Sequence, residues 1–262
     1  MNDIRISSWN ELSEVLYDIP PDPDHGRHRS NYVYRGVANK EWRLETSLRR
    51  LGNHCAAVEG PLLRNFKKYA ELGTIPPGNL WLKLAVAQHH GLPTRVLDWT
   101  VAPKVAVHFA TFEQEHYDKD GAIWRINVAE SRKLLPPLLL DVLRKEYAYI
   151  FSVEMLDFIQ DLDAFDELGA KQPFVLFFEP PSLDGRIINQ WAIMSVMSSP
   201  MLVLDEFLKD QTELYDRIII PAELKWEIRD KLDQDNVTER MLFPGLDGLS
   251  KWLKRYYSSK GT

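Results

Sequence analysis

The spacing of apolar and polar positions changes several times along the chain, and each change marks an element. Trp9 to Leu16 reads as a short helix, with Ser8 placed to cap it and Pro20-Pro21 following. A polar loop, His25 to Ser30, leads into Tyr32-Val33-Tyr34, a run of strand formers. Gly36 permits a turn just after it, which puts Arg35 at a strand end. Pro61 to Leu72 and Leu80 to His90 read as helices, the first with Pro near its first turn, the second closed by Gly91 and Pro93. Val101 to Glu115 reads as a third helix, with Thr100 available as its cap and Pro103 tolerated in the first turn. Gly121 to Val128 alternates Ala122, Trp124, Ile126 and Val128 against Ile123, Arg125 and Asn127, the period of a strand. Phe174 to Phe178 and Arg217 to Ile220 are short apolar strands bounded by Pro, and Pro221 to Leu232 is a helix. The mixed order predicts an α+β class: one domain over residues 1–262, with a mixed central sheet flanked by helices.

Composition adds constraints on class. The chain is 45% hydrophobic and 27% charged, which is ordinary for a folded globular protein. No run reaches the roughly 18 apolar residues that span a bilayer, and the opening residues lack the pattern of a signal peptide, so a cytoplasmic location without membrane contact is expected. Cys55 is the single cysteine, which excludes an internal disulfide and every cysteine-cluster zinc site.

Charge is unevenly placed. Six acids and no Lys or Arg fall between Phe151 and Ala170, enough to account for the whole net charge of -6. With Met155, Leu156, Phe158, Ile159 and Leu162 between them, this window reads as an amphipathic helix with an acidic outer face. Between Arg27 and Ala70, ten Lys or Arg stand against three acids, an excess suited to collecting around an anion. The plain alternative for both runs is a solvated surface.

Candidate chemistry concentrates in thirteen residues, Gln88-His89-His90-Gly91-Leu92-Pro93-Thr94-Arg95-Val96-Leu97-Asp98-Trp99-Thr100. Here an amide, two imidazoles, a guanidinium, a carboxylate and two hydroxyls share one predicted loop between helices. The structural alternative is a braced loop, Arg95 and Asp98 forming an ion pair that fixes it. His89 and His90 point about 100 degrees apart on a helix and neither has a His at i+4, so no metal site is expected. Cys55 beside His54 is not the geometry of a nucleophile and its base. Trp42, Trp81, Trp99, Trp124, Trp191, Trp226 and Trp252 stand in apolar segments as core candidates. Trp99, next to Asp98, is the one whose ring is offered for stacking on a base or nicotinamide.

This segment, with Tyr34-Arg35-Gly36, resembles the FRG domain family, named for a Phe-Arg-Gly motif. The likeness continues through Trp42-Arg43-Leu44 with Ser47-Leu48, QHHGLPTR and LDWT, Pro103 with Ala106 and Phe109-Ala110, Gly121 with Ile123-Trp124, Arg186-Ile187 with Gln190, and Leu242-Phe243-Pro244 with Leu246-Asp247-Gly248-Leu249. Two departures stand out: Tyr34 replaces the usual Phe, and Trp191-Ala192 follows Gln190 where a Gln-Gly pair is expected. The Tyr-Arg-Gly strand end also looks like the first motif of arginine-type ADP-ribosyltransferases, whose strand-borne Arg contacts NAD and whose later Glu stabilises an oxocarbenium-like transition state.

The resemblance therefore implies an ADP-ribosyltransferase-like fold and a NAD cofactor. Arg35, His89 and Asp98 take the catalytic roles. Tyr34, Arg35, Gly36, Gln88, His90, Thr94, Arg95, Trp99, Thr100 and Gln190 take the binding roles. No metal is implied. The Glu-x-Glu motif of those transferases is missing near Gln190, which leaves Asp98 as the local carboxylate, with Glu179 and Asp247 behind it. Two functions stay open: a transferase acting on a macromolecular acceptor, protein or nucleic acid, and a module that binds a nucleotide or nucleic acid in the same pocket without turnover. A third class, a purely structural interaction domain, would bury Arg35 and His89 in ion pairs.

Overall fold

The computed structural model describes residues 3–21 and 26–260; His25, the first residue of the expected polar loop, lies outside the described residues. The strands are β1 (Asp3–Arg5), β2 (Tyr32–Val37), β3 (Val96–Thr100), β4 (Gly121–Asn127), β5 (Phe151–Ser152), β6 (Val175–Glu179), β7 (Ala192–Met197) and β8 (Tyr215–Ile220). The helices are α1 (Trp9–Tyr17), α2 (Cys55–Tyr69), α3 (Leu80–His89), α4 (Pro103–Thr111), α5 (Val128–Ser131), α6 (Pro137–Lys145), α7 (Leu162–Leu168), α8 (Gly185–Asn189), α9 (Leu204–Leu208), α10 (Lys225–Gln234), α11 (Glu239–Leu242) and α12 (Leu246–Tyr256). The α+β class and the single mixed sheet are as the sequence predicts. No helix among the described residues is long and apolar enough to cross a membrane.

All eight strands form one sheet in the order β1-β8-β4-β2-β3-β7-β6-β5. The pairs β1–β8 and β5–β6 are parallel and the rest antiparallel. The joint between β2 and β3 is unlike the others. β2 pairs along its whole length with β4, from Tyr32 opposite Asn127 to Val37 opposite Ala122, and β3 likewise with β7. Between themselves β2 and β3 meet at one pair, Tyr34 with Thr100. Beyond that pair the two strands part, and the sheet consists of two four-stranded halves joined at a point.

Packing follows the same division. On one face, side chains from both halves share a continuous core, including Val33, Leu97, Trp99, Trp124, Phe177 and Ile193. On the other face there are two cores. Tyr34, Ile123, Ile218 and Ile220 pack against α1, α4 and α10, whereas Val96, Leu176, Phe178, Met194 and Val196 pack against α3, α6 and α7. β7 shows the strand period plainly: Ile193 and Met197 enter the shared core, Met194 and Val196 the divided side. The gap between the two helical layers lies over the parted strands.

Several elements differ from the sequence expectation. Gly36 is not a turn residue but an interior position of β2, since a Cβ there would stand 1.9 Å from the carbonyl oxygen of Ala106 and 2.7 Å from the amide nitrogen of Ala110. The backbone of α4 rests directly on the strand, and only glycine allows it. The expected Gln88–Thr100 loop ends in a strand, because Val96 to Thr100 pair with β7. α2 begins at Cys55, six residues ahead of Pro61, which sits inside the helix. α4 is shorter than the expected Val101 to Glu115. Thr100 stays in β3, its hydroxyl donating to the carbonyl of Gln190 at 2.6 Å and accepting from the Ala102 amide at 3.0 Å. The acidic window is broken rather than one helix: strand β5, a single 3-10 turn, then α7 capped by Asp161.

Candidate functional site

A cleft of about 400 Å³ opens where β2 and β3 part. Its floor comes from Tyr34 to Ala38 on one strand and Asp98 to Thr100 on the other. One helical wall carries Gln88 and His89 at the end of α3, and the other carries Phe109, Phe112 and Glu113 on and after α4. α8 and α12 close the far side with Arg186, Ile187, Gln190 and Lys251. Rings of Trp42 and Phe243 complete the lining, Trp42 being held edge-on to His116 at 4.9 Å.

Arg35 spans the parting. Its Nη1 donates to the carbonyl oxygen of Asp98 at 2.5 Å, so the guanidinium replaces a ladder bond that the diverging backbones no longer make. The residue is half-buried. Burial pulls the guanidinium below its ordinary value and Asp98 draws it back up, yet an arginine remains charged at any physiological pH. Among the described residues Arg35 has no carboxylate salt bridge, and its other N–H groups are left for a ligand.

The Asp98 carboxylate is exposed to the cleft and is held through a relay. The buried Thr94 hydroxyl donates to Oε1 of Gln88 at 2.5 Å, which orients the amide so that Nε2 donates to Oδ2 of Asp98 at 2.8 Å. His89 meets Asp184 at 2.8 Å through Nε2, and the same carboxylate caps α8 by accepting from the amides of Arg186 and Ile187. Burial pushes the Asp184 carboxyl up, but those amides and His89 outweigh it and leave it below the usual range. Glu113 supplies a second carboxylate. Burial lifts it above the ordinary value while His116 pulls the other way. Oxygen and nitrogen ligand atoms of Glu113, Glu115 and His116 lie within 4.8 Å of one another, the one trio of potential metal ligands among the described residues.

Of the residues expected to bind or react, Tyr34, Arg35, Gly36, Gln88, His89, Asp98, Trp99, Thr100 and Gln190 border this one cleft. Three do not. His90 is exposed as the C-terminal cap of α3, and Thr94 is buried behind Gln88. Arg95 is 2% exposed and turned to the opposite side of β3, where it grips both oxygens of Glu59 and also Asp166. The expected Arg95–Asp98 ion pair is therefore absent: neighbouring strand positions alternate faces, and these two are an odd number of residues apart. Trp99 borders the cleft but is 3% exposed, its indole N–H donating to Ser195 at 2.8 Å and its ring set edge-on to Phe177. It belongs to the shared core rather than to a stacking platform. Glu179 and Asp247, the reserve carboxylates, are exposed elsewhere. Trp191 takes a positive φ of 45° and directs a 64% exposed ring to solvent, so the departure at this turn does not fill the cleft.

Residues 30–119 match the model of the FRG domain family. Over that span the chain is similar to the FRG domain. The matched span runs from the start of β2 through α4, and so supplies the floor strands and both helical walls of the cleft. No curated protein and no solved structure matches the chain. The FRG segment alone leaves the far side open, and Arg186, Gln190, Phe243 and Lys251, all beyond residue 119, close it.

Proposed function

We propose that the cleft takes NAD and that this chain is an ADP-ribosyltransferase-like catalyst acting on a protein or nucleic-acid acceptor. The observation that carries the reading is the meeting of Arg35 and the Asp98 carboxylate at the parted strands, a cation with donors and an anion with an oxygen that have no partner among the described residues, in a cleft walled by aromatic rings. In such a reaction the bond between ribose C1′ and the nicotinamide nitrogen breaks, and its electron pair leaves with neutral nicotinamide. Positive charge builds on the ribose. The acceptor's nucleophilic atom then bonds to C1′ and releases its proton to solvent. A carboxylate fixed beside the ribose stabilises that charge more in the transition state than in the ground state. Asp98, locked by Gln88, is suited to this role, and Glu113 stands on the α4 side as a second carboxylate. Arg35 bridges the parted strands through its bond to the Asp98 carbonyl and borders the cleft.

The test is incubation with labelled NAD and separate pools of protein, DNA and RNA, followed by measurement of label transfer and of free nicotinamide. Transfer with stoichiometric nicotinamide supports the reading. Binding of NAD without release under any acceptor leaves a nucleotide-binding module, a second reading supported by the lack of a Glu-x-Glu motif near Gln190.

A further inference from the structure

The basic side chains that close the cleft come from outside the FRG match. Arg186 on α8 and Lys251 on α12 both line it and are exposed. Neither has a carboxylate within salt-bridge distance among the described residues. Each instead approaches the ring of Phe243, at 5.2 Å for the guanidinium and 5.7 Å for the ammonium. An exposed contact of this kind is far weaker than a charge-assisted hydrogen bond, so both groups move to an arriving anion at little cost. Their mounting is nonetheless rigid. The side-chain amide of Asn189 donates to the Met241 carbonyl at 2.6 Å and that of Gln190 to the Leu242 carbonyl at 2.9 Å, tying the end of α8 to α11 just ahead of α12. With Arg35 the lining carries three cations against the carboxylates of Asp98 and Glu113, in a chain whose net charge is -6. The cleft is a local reversal of the protein's overall sign.

Resting on the reading that a nucleotide enters here, we infer that Arg186 and Lys251 form a clamp for its diphosphate, while Arg35, half-buried and bonded to the Asp98 carbonyl, serves the ribose end. The pairing suits the ligand: a planar guanidinium takes two phosphate oxygens at once, and an ammonium on a flexible stem follows the charge. The FRG segment then supplies the reacting end, and the C-terminal third supplies the anion grip that sets affinity.

Calorimetry with adenosine, AMP, ADP and NAD on the full chain and on R186A/K251A tests the clamp. Wild type should bind ADP more tightly than adenosine. The double variant should lose about tenfold or more of its affinity for ADP and NAD, leave adenosine binding unchanged, and show a flatter dependence on salt. R186K/K251R, which keeps both charges, should regain part of the loss and guards against a folding artefact. Equal ADP affinity in wild type and double variant overturns the clamp, as does equal loss for adenosine and ADP, or failure of wild type to prefer ADP. Phosphate-dependent loss in a protein that never releases nicotinamide keeps the clamp and removes the transferase. Nicotinamide release with unchanged NAD affinity in the double variant does the reverse.

Discussion

Two clusters of arginine and carboxylate lie on either side of α4, and they use the same groups in opposite ways. Behind α4, Arg255 of α12 bonds both oxygens of Glu239 at 2.7 and 2.9 Å and both of Asp233 at 3.0 and 2.6 Å. Arg229 joins them, within 3.5 Å of Glu239, and donates to Nδ1 of His108 at 2.8 Å. Glu239, Arg229 and Arg255 are almost fully buried. In front of α4, the cleft cations Arg35, Arg186 and Lys251 have no such carboxylates among the described residues, and the Asp98 carboxylate accepts a hydrogen bond from the neutral amide of Gln88. The rear cluster spends its charges on itself and fastens α10, α11 and α12. The cleft keeps its charges in reserve. Charge density alone does not identify a binding site; the state of the partners does.

The largest effect that sharpens this contrast is expected at Glu239. Glu239→Ala takes from the buried Arg229 and Arg255 the carboxylate they share, leaving Asp233 as the remaining anion, and should cost about 3 kcal/mol of stability, read by urea unfolding. Acid should act on the same cluster in two stages. Burial, reinforced by Arg229, holds His108 well below its ordinary value, so the unfolded chain binds the extra proton first and stability begins to fall as pH drops below about 6.5. Burial would raise Glu239, but the bonds from Arg255 and the charge of Arg229 bring it down to about 2. Its contribution is fully present above pH 4.5 and is lost as pH falls from there toward 2, on the order of 3 kcal/mol for a depression of that size. Unfolding curves of wild type and Glu239→Gln should therefore converge across that window, and a constant separation would remove Glu239 from the account.

At the cleft the expected losses are functional. Asp98→Asn should lower nicotinamide release by about a hundredfold with NAD affinity changed little, the mark of a group that acts on transition-state charge. Equal losses in affinity and turnover would make Asp98 a structural brace. Arg35→Ala should weaken NAD binding about tenfold or more while the melting temperature stays within a few degrees of wild type, because it removes one charged donor from a half-exposed site. If Arg35→Ala melts as early as Glu239→Ala with binding intact, the contrast between the two clusters fails.

Much of the fold was legible in the sequence. Alternation in Gly121 to Val128 and the apolar runs at Phe174 and Arg217 located β4, β6 and β8, and the Gly91-Pro93 stop located the end of α3. β3 and β7 were not legible. β7, Ala-Ile-Met-Ser-Val-Met, is buried on both faces and so carries no clean alternation. β3, Val-Leu-Asp-Trp-Thr, has four buried residues around an exposed aspartate, a pattern that makes sense only once the strands are known to part beside Asp98. For the site, most of the residues singled out in the FRG segment border one cleft, while His90, Thr94 and Arg95 do not. The sequence could not say which of them faced it, since that depends on strand parity: Asp98 and Arg95 came out on opposite faces, and Trp99 went to the core. Arg186 carried part of the likeness but no assigned role, and Lys251 was not singled out, because nothing local brings α8 and α12 over β2 and β3.

The joint at Tyr34 and Thr100 has a consequence for how the molecule is held together. Counting strands in chain order, the polypeptide crosses between the two half-sheets four times, from β2 to β3, β3 to β4, β4 to β5 and β7 to β8. Neither half is a continuous stretch of chain, so neither can be expressed, excised or inherited by itself. The cleft is a seam laced from both sides rather than a mouth between hinged jaws, and its width is set by the lacing. A ligand seated there would act as one more stitch, raising the resistance of both halves to hydrogen exchange together.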